Sequence, residues 1–278
     1  MNVAGDLSPA RGVRPKPVSR LRSPALLLGA AVLLVPGVHA GALPVDVFND
    51  GFEPTCATLL YEESFDADGG SWPTPWIELA DSAAVADVVG GEARLQPVPT
   101  GNPYPLARMF ADIHTLNVDV RYRIRMESAA RNGIGFYVRQ NGGHMLNTDP
   151  TGSGYVAFVE GGFRGQPGIG LWREENGIEV NFAHSAPGLL DPQADVDYEV
   201  RFQVEQFDAT TTLLRARMWP SGEVEPGIWH VEAGDTQADL QGVIGGMAID
   251  VWDSNVNHPD PAHGFIDDIE VRAFCPPS

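Results

Sequence analysis

The chain has 278 residues and a formal net charge of −19, from 18 Lys+Arg against 37 Asp+Glu. That balance argues against a nucleic-acid partner, which needs a basic stripe to meet phosphates. Hydrophobic residues at 43% and charged residues at 20% give a globular composition, and 31 Gly with 23 Pro suit a turn-rich β protein.

Residues 1–40 have the layout of a cleaved secretory signal peptide. Arg11, Arg14, Lys16, Arg20 and Arg22 form a basic start, Ala25 to Val35 is apolar, Pro36-Gly37 breaks the run, and Val38-His39-Ala40 offers small residues for cleavage. The apolar run is too short for a membrane span, which needs about 20 residues. Cleavage leaves 13 cations and 36 anions, and every cation is Arg, because Lys16 is the only lysine. Lysine Schiff bases, Ser-Lys pairs and phosphate-cradling lysines are therefore excluded. Residues 41–56 read as a short acidic linker. Its VFNDGFE core resembles an FxDGFE tag of secreted proteins from Gram-negative bacteria.

From Ala57 the pattern has period two. Val85–Val89 and Glu92–Gln96 flank Gly90-Gly91 as a hairpin. In Asn117–Glu127, Val118, Val120, Tyr122, Ile124 and Met126 face inward and Arg121, Arg123 and Arg125 outward. Further strands are predicted at 133–139, 155–160, 169–174, 178–184, 197–205, 212–218, 242–251 and 265–274. The outward arginines, with Arg201, Arg215 and Arg217, read as a charge-laced solvent face. No stretch has a 3.6-residue period, so the expected fold is all-β, an antiparallel two-sheet sandwich.

Asn176-Gly177 is a strong two-residue turn signal. It sets Glu174 opposite Glu179, Trp172 opposite Asn181 and Leu171 opposite Phe182. Ile169, Leu171, Val180 and Phe182 should face the core, while Trp172, Glu174, Glu179 and Asn181 face outward with Tyr137 and Arg139 of the preceding strand. An indole beside an amide and acids suits a sugar, stacking on the ring and bonding its hydroxyls. Arg139 adds a fork for an acidic sugar. Glu174 and Glu179 are also candidate catalytic carboxylates, since directly opposed strand residues approach the spacing of a retaining glycosidase.

The stretches SFDADGGSWPTPW, VVGGEARLQP, RARMWPSGEVEPGIW and GFIDDIEVR, in this order, resemble bacterial laminin-G-like domains of the concanavalin A-like lectin/glucanase superfamily. The resemblance covers the domain assigned to residues 57–275 and implies a jelly roll with one concave sheet and adjacent first and last strands. It implies a glycan-binding module, with a glycoside hydrolase or polysaccharide lyase, or an adhesive module, as alternatives. The Glu-x-Asp-x-x-Glu run of the superfamily's glycosidases is absent. The expectation for partners is completed by a secreted monomer with a polysaccharide or glycan as ligand, no nucleic acid and no membrane span.

Adjacent terminal strands agree with a disulfide between Cys56 and Cys275, which the even cysteine count and export already suggest. The same adjacency brings Glu63, Asp66 and Asp68 toward Asp267 and Asp268, with paired indices summing to about 331 or, for matching inward sets, an even number. Opposed carboxylates destabilise a sheet. A structural Ca²⁺, as in resembling relatives, is the expected remedy. Asp253 to His258 departs from a calcium loop, and His258, His263 and Asp260 read as loop residues.

Overall fold

In the computed structural model, residues 57–67, 69–99, 106–145, 148–162, 165–255 and 258–274 are described. The expected leader, the linker, Cys56, Asp68 and Cys275 lie outside them. The strands are β1 (Ala57–Glu63), β2 (Ile77–Glu78), β3 (Ala83–Val89), β4 (Glu92–Pro97), β5 (Leu106–Thr115), β6 (Val118–Met126), β7 (Asn132–Gln140), β8 (Gly154–Glu160), β9 (Gly168–Glu175), β10 (Ile178–His184), β11 (Asp197–Gln206), β12 (Thr212–Pro220), β13 (Val231–Asp235), β14 (Gly245–Asp253) and β15 (Gly264–Phe274). The first sheet runs β13-β12-β11-β6-β15-β4-β3, with β1 also on β15, and the second runs β10-β9-β8-β7-β14-β5-β2. Every ladder is antiparallel. Among the described residues no helix is long and apolar enough to cross a membrane.

Alternation builds the core. On β6, Val118, Val120, Tyr122, Ile124 and Met126 are buried, and β11 adds Tyr198, Val200, Phe202 and Val204. These meet Phe136, Val138, Ala157, Ile169, Leu171, Met247, Ile249 and Val251 of the second sheet in one apolar cluster. Two sheets joined through one buried layer are a β-sandwich.

The outer side of the first sheet is less open than its charges suggested. Arg121 stands opposite Arg201, and Arg201 opposite Arg217, so like charges face each other. Glu225 pairs with all three, and Asp119 accepts from Arg201 at 2.6 Å. The Trp229 ring lies 4.2 Å from the Arg217 guanidinium carbon. Arg201 and Arg217 are consequently buried, not solvated.

At the β1–β15 seam both predicted registers occur. Ala57, Thr58 and Leu59 pair with Phe274, Ala273 and Arg272, and then a shift between Leu59 and Tyr61 sets Tyr61 opposite Val271 and Glu63 opposite Ile269. The one-residue bulge reconciles the two index sums and places Tyr61 beside Val271 without moving the strand ends.

Candidate functional site

The second sheet has an outward face that does not look like a water-facing surface. On β7, Ile134, Phe136 and Val138 enter the core, so Gly133, Gly135 and Tyr137 face out. On β14, Ala248, Asp250 and Trp252 do the same. Tyr137, Val156, Phe158, Trp172, Ala248 and Trp252 form a second apolar cluster, separate from the core. Phe158 sits 5.8 Å from Trp252 and 6.4 Å from Trp172, centroid to centroid. Gly133 and Gly135 make this possible. A Cβ on Gly135 would lie 2.6 Å from the Phe158 ring, and one on Gly133 would strike Phe158 and the Trp252 indole.

Beside the rings lies a buried charge network. Arg108 on β5 is fully buried and gives Asp250 two hydrogen bonds, Nε to Oδ1 at 2.6 Å and Nη2 to Oδ2 at 2.7 Å. Its Nη1 donates to both Glu174 carboxylate oxygens, at 3.0 and 2.9 Å, and to the Gly143 carbonyl at 2.9 Å. Gln140 donates to Glu174 and Gly143 as well. The guanidinium also stands 4.5 Å from the Tyr137 ring centroid. Burial works against the Arg108 charge, and the two carboxylates more than restore it.

Glu179 differs. It is partly exposed and accepts the Tyr137 hydroxyl. Burial pushes its carboxyl up to about 7, with Asp250 adding to the shift and the Tyr137 hydrogen bond opposing it. Burial first, then Asp250 and Glu179, raise Tyr137 well above the usual phenol range. His144, in the β7–β8 connection, is pushed down to about 4 by burial and then by Arg108, so it is neutral.

The expected site residues divide accordingly. Glu174 faces Glu179 and Trp172 faces Asn181, as the turn dictates; Asn176 and Gly177 both have the positive φ of that turn. Tyr137, Trp172 and Glu174 lie on the expected face, but Trp172 is only 8% exposed and the other two are fully buried. Asn181 is exposed, its amide donating to the Leu171 and Ala183 carbonyls.

Arg139 is a correction. It has φ 53 at a shift of the β7–β14 ladder, where Met247 pairs with Val138 and Gly246 with Gln140. The extra residue turns Arg139 off the face. It is 1% exposed and donates to the Leu116 carbonyl, Gln206 and Thr212. Gln140 takes its place on the face. A second shift puts Leu171 opposite Ala183 rather than Phe182, and Val180, expected in the core, is 38% exposed on edge strand β10.

The acidic corner has its own counter-charge. Arg123 pairs with Asp267 and, at 3.2 Å, with Asp268. Glu63 accepts from the Phe65 backbone, and Asp66 from Ser64. Among the described residues no three His, Cys, Asp or Glu side chains group closely enough to hold a metal ion.

No family model and no curated protein matches the sequence. Solved structures do match. The alginate lyase Aly36B aligns at a TM-score of 0.54 and 11% identity, covering 80% of this chain and 98% of that one. A protein of unknown function with a galectin-like fold from Bacillus subtilis aligns at 0.53 and 10%, covering 78% and 97%. The chain has a concanavalin A-like sandwich fold. The Emp47p carbohydrate recognition domain aligns with the same sandwich at 0.50 and 13%, covering 81% and 100%. At these identities the likeness concerns the fold, and function has to be argued from the site.

Sequence reasoning missed Arg108, Asp250, Gln140, Phe158 and Trp252. The available signal was lost alternation: every residue of β7, β8 and β14 is buried. Antiparallel strands covered on both faces read as continuous apolar runs, as in YVAFV and GGMAIDVW.

Proposed function

We propose that the chain is a secreted, non-catalytic carbohydrate-binding protein whose site lies on the outward face of the second sheet, at its β9–β10 border. One observation carries the reading: an aromatic cluster occupies an outward sheet face, and partly exposed Glu179 and exposed Asn181 border it. Aromatic rings next to a few fixed polar groups are the usual equipment of a ligand site. A carbohydrate recognition domain and a polysaccharide lyase on the same fold support the assignment by analogy.

Catalysis by the glutamate pair is the second reading, favoured by the raised Glu179 carboxyl opposite an ion-paired Glu174. Glu174 weighs against it. Its side chain is fully buried, spent on Arg108, and covered by Gly152, where even a Cβ would strike the carboxylate. A carboxylate sealed in this way cannot reach a glycosidic bond.

The test is a glycan array followed by calorimetry with Asn181→Ala. The substitution removes two hydrogen bonds to backbone carbonyls, so a melt is recorded beside it, and weakened binding by a variant that stays folded supports the site. Unaltered binding moves the site elsewhere. Release of reducing ends or of unsaturated sugars would establish the catalytic reading, and an array without any bound glycan would leave an adhesive module.

A further inference from the structure

We infer that this face takes a neutral or amino-bearing sugar and excludes uronic acid and sulfated chains. The inference rests on the reading that the face binds carbohydrate, and it concerns which class of carbohydrate.

The argument is a charge count on one patch. Glu174, Glu179 and Asp250 supply three carboxylates, and Arg108 is the cation among them. That guanidinium is fully committed: Nε and Nη2 to Asp250, Nη1 to Glu174 and the Gly143 carbonyl. A sugar carboxylate is best gripped by a guanidinium with two donors free, and Arg108 has neither the donors nor the exposure.

The other basic side chains near the face are no better placed. His184 lies beside Gly170 and pairs with Glu160 at 3.5 Å. Arg139, the residue whose sequence position suggested an acidic sugar, is turned away by the bulge. Among the described residues, none of these basic side chains is placed to grip an anionic ligand.

What the border offers instead is acceptors. Glu179 is a partly exposed residue whose carboxylate accepts the Tyr137 hydroxyl. Sugar hydroxyls donate to such a group, and an ammonium does so with its charge matched. A second carboxylate brought against it meets a like charge in a partly desolvated place, where water screens little. Burial holds Glu179 near half-ionised at neutral pH, so the discrimination sharpens as pH rises through 7.

The experiment is calorimetry of the full chain at pH 8 and low salt with four hexasaccharide probes: cellohexaose, a glucosamine hexamer, oligoalginate and oligogalacturonate. We expect cellohexaose or the glucosamine hexamer to bind at least tenfold more tightly than either uronate. Glu179→Gln should cost at least tenfold on the amino sugar and narrow the gap to the uronates. A uronate bound as tightly as the uncharged and amino probes overturns this inference and leaves the carbohydrate reading standing. Binding of none of the four, with the wider array also blank, overturns both.

Discussion

Replacing Glu179 by Gln should stabilise the protein at alkaline pH and do little at acid pH. The carboxyl is raised from 4.5 to about 7 in the fold. The folded state therefore holds this proton more tightly than the unfolded chain. Stability from this group is greatest at low pH, falls as pH rises from 4.5 toward 7, and then levels off. One pKa unit corresponds to about 1.4 kcal/mol, and the shift integrates to about 3 kcal/mol between fully protonated and fully ionised states. About 1 kcal/mol of that is already lost at pH 5, which leaves about 2 kcal/mol between pH 5 and pH 8. Glutamine keeps an acceptor for the Tyr137 hydroxyl and removes the titration. Urea denaturation of wild type and variant at both pH values gives the difference of differences, in which titrating groups not coupled to Glu179 cancel. We expect the variant to gain about 2 kcal/mol relative to wild type on going from pH 5 to pH 8. A gap between the two proteins that does not change with pH would refute the desolvated environment assigned to Glu179, and with it the closed character of this face.

Tyr122 is 1% exposed and its hydroxyl has no hydrogen-bond partner, so Tyr122→Phe should be neutral or stabilising by about 1 kcal/mol in denaturant melts; a loss of that size would reveal a partner for the hydroxyl. Arg108→Met strands Asp250 and Glu174 without their cation and should cost about 3–5 kcal/mol, read by the same melts, whereas a cost below about 1 kcal/mol would mean that water reaches the network. Ala57 stands opposite Phe274, and Cys56 and Cys275 are their neighbours in sequence, so we expect peptide mapping of exported protein to find the two cysteines linked and neither thiol alkylatable; two alkylatable thiols would refute the bridge. The Ca²⁺ expected at the acidic corner is tested by chelation: a bound ion at hundredfold excess over its Kd adds about 2.7 kcal/mol, so a melting temperature that falls with chelator would support an ion among Glu63, Asp66, Asp68, Asp267 and Asp268, and one that does not move would leave Arg123 as the counter-charge of Asp267 and Asp268.

The first sheet was legible because charged or polar residues alternate with apolar ones along its strands, whether or not the charged side is solvated. The inward sets of β6 and β11, two segments 70 or more residues apart, follow from strict alternation in each, and the structure then pairs Val120 with Phe202 and Ile124 with Tyr198. The Glu174–Glu179 and Trp172–Asn181 pairs were legible for a different reason. They hang on a local turn whose residues demand one geometry. The bulges were not legible. Nothing in Tyr137-Val138-Arg139-Gln140 marks Arg139 as the extra residue, because the shift is set by its partner, where Gly246 and Met247 straddle it. A Cβ at Gly245 would collide with the Arg139 backbone, so the bulge depends on a glycine more than a hundred residues away.

The charge network was hidden for the same kind of reason. Arg108 and Asp250 are directly opposite on β5 and β14, yet 142 positions apart in sequence, and each sits in a run that otherwise reads as an ordinary strand. Buried ion pairs contribute little net stability when compared with well-packed apolar side chains. Their better-attested effect is to fix geometry, and the hydrogen bonds here show a chain of such constraints. Asp250 sets the plane of the guanidinium, and the guanidinium sets both the Glu174 carboxylate and the Gly143 carbonyl of the β7–β8 connection. Of the four charges in this network, Arg108, Asp250 and Glu174 are thereby sealed and mutually satisfied. Glu179 is the remaining one, held by a phenol rather than a cation and partly open to solvent. The electrostatic character that this face presents to a ligand is therefore that of one titrating carboxylate at an aromatic border.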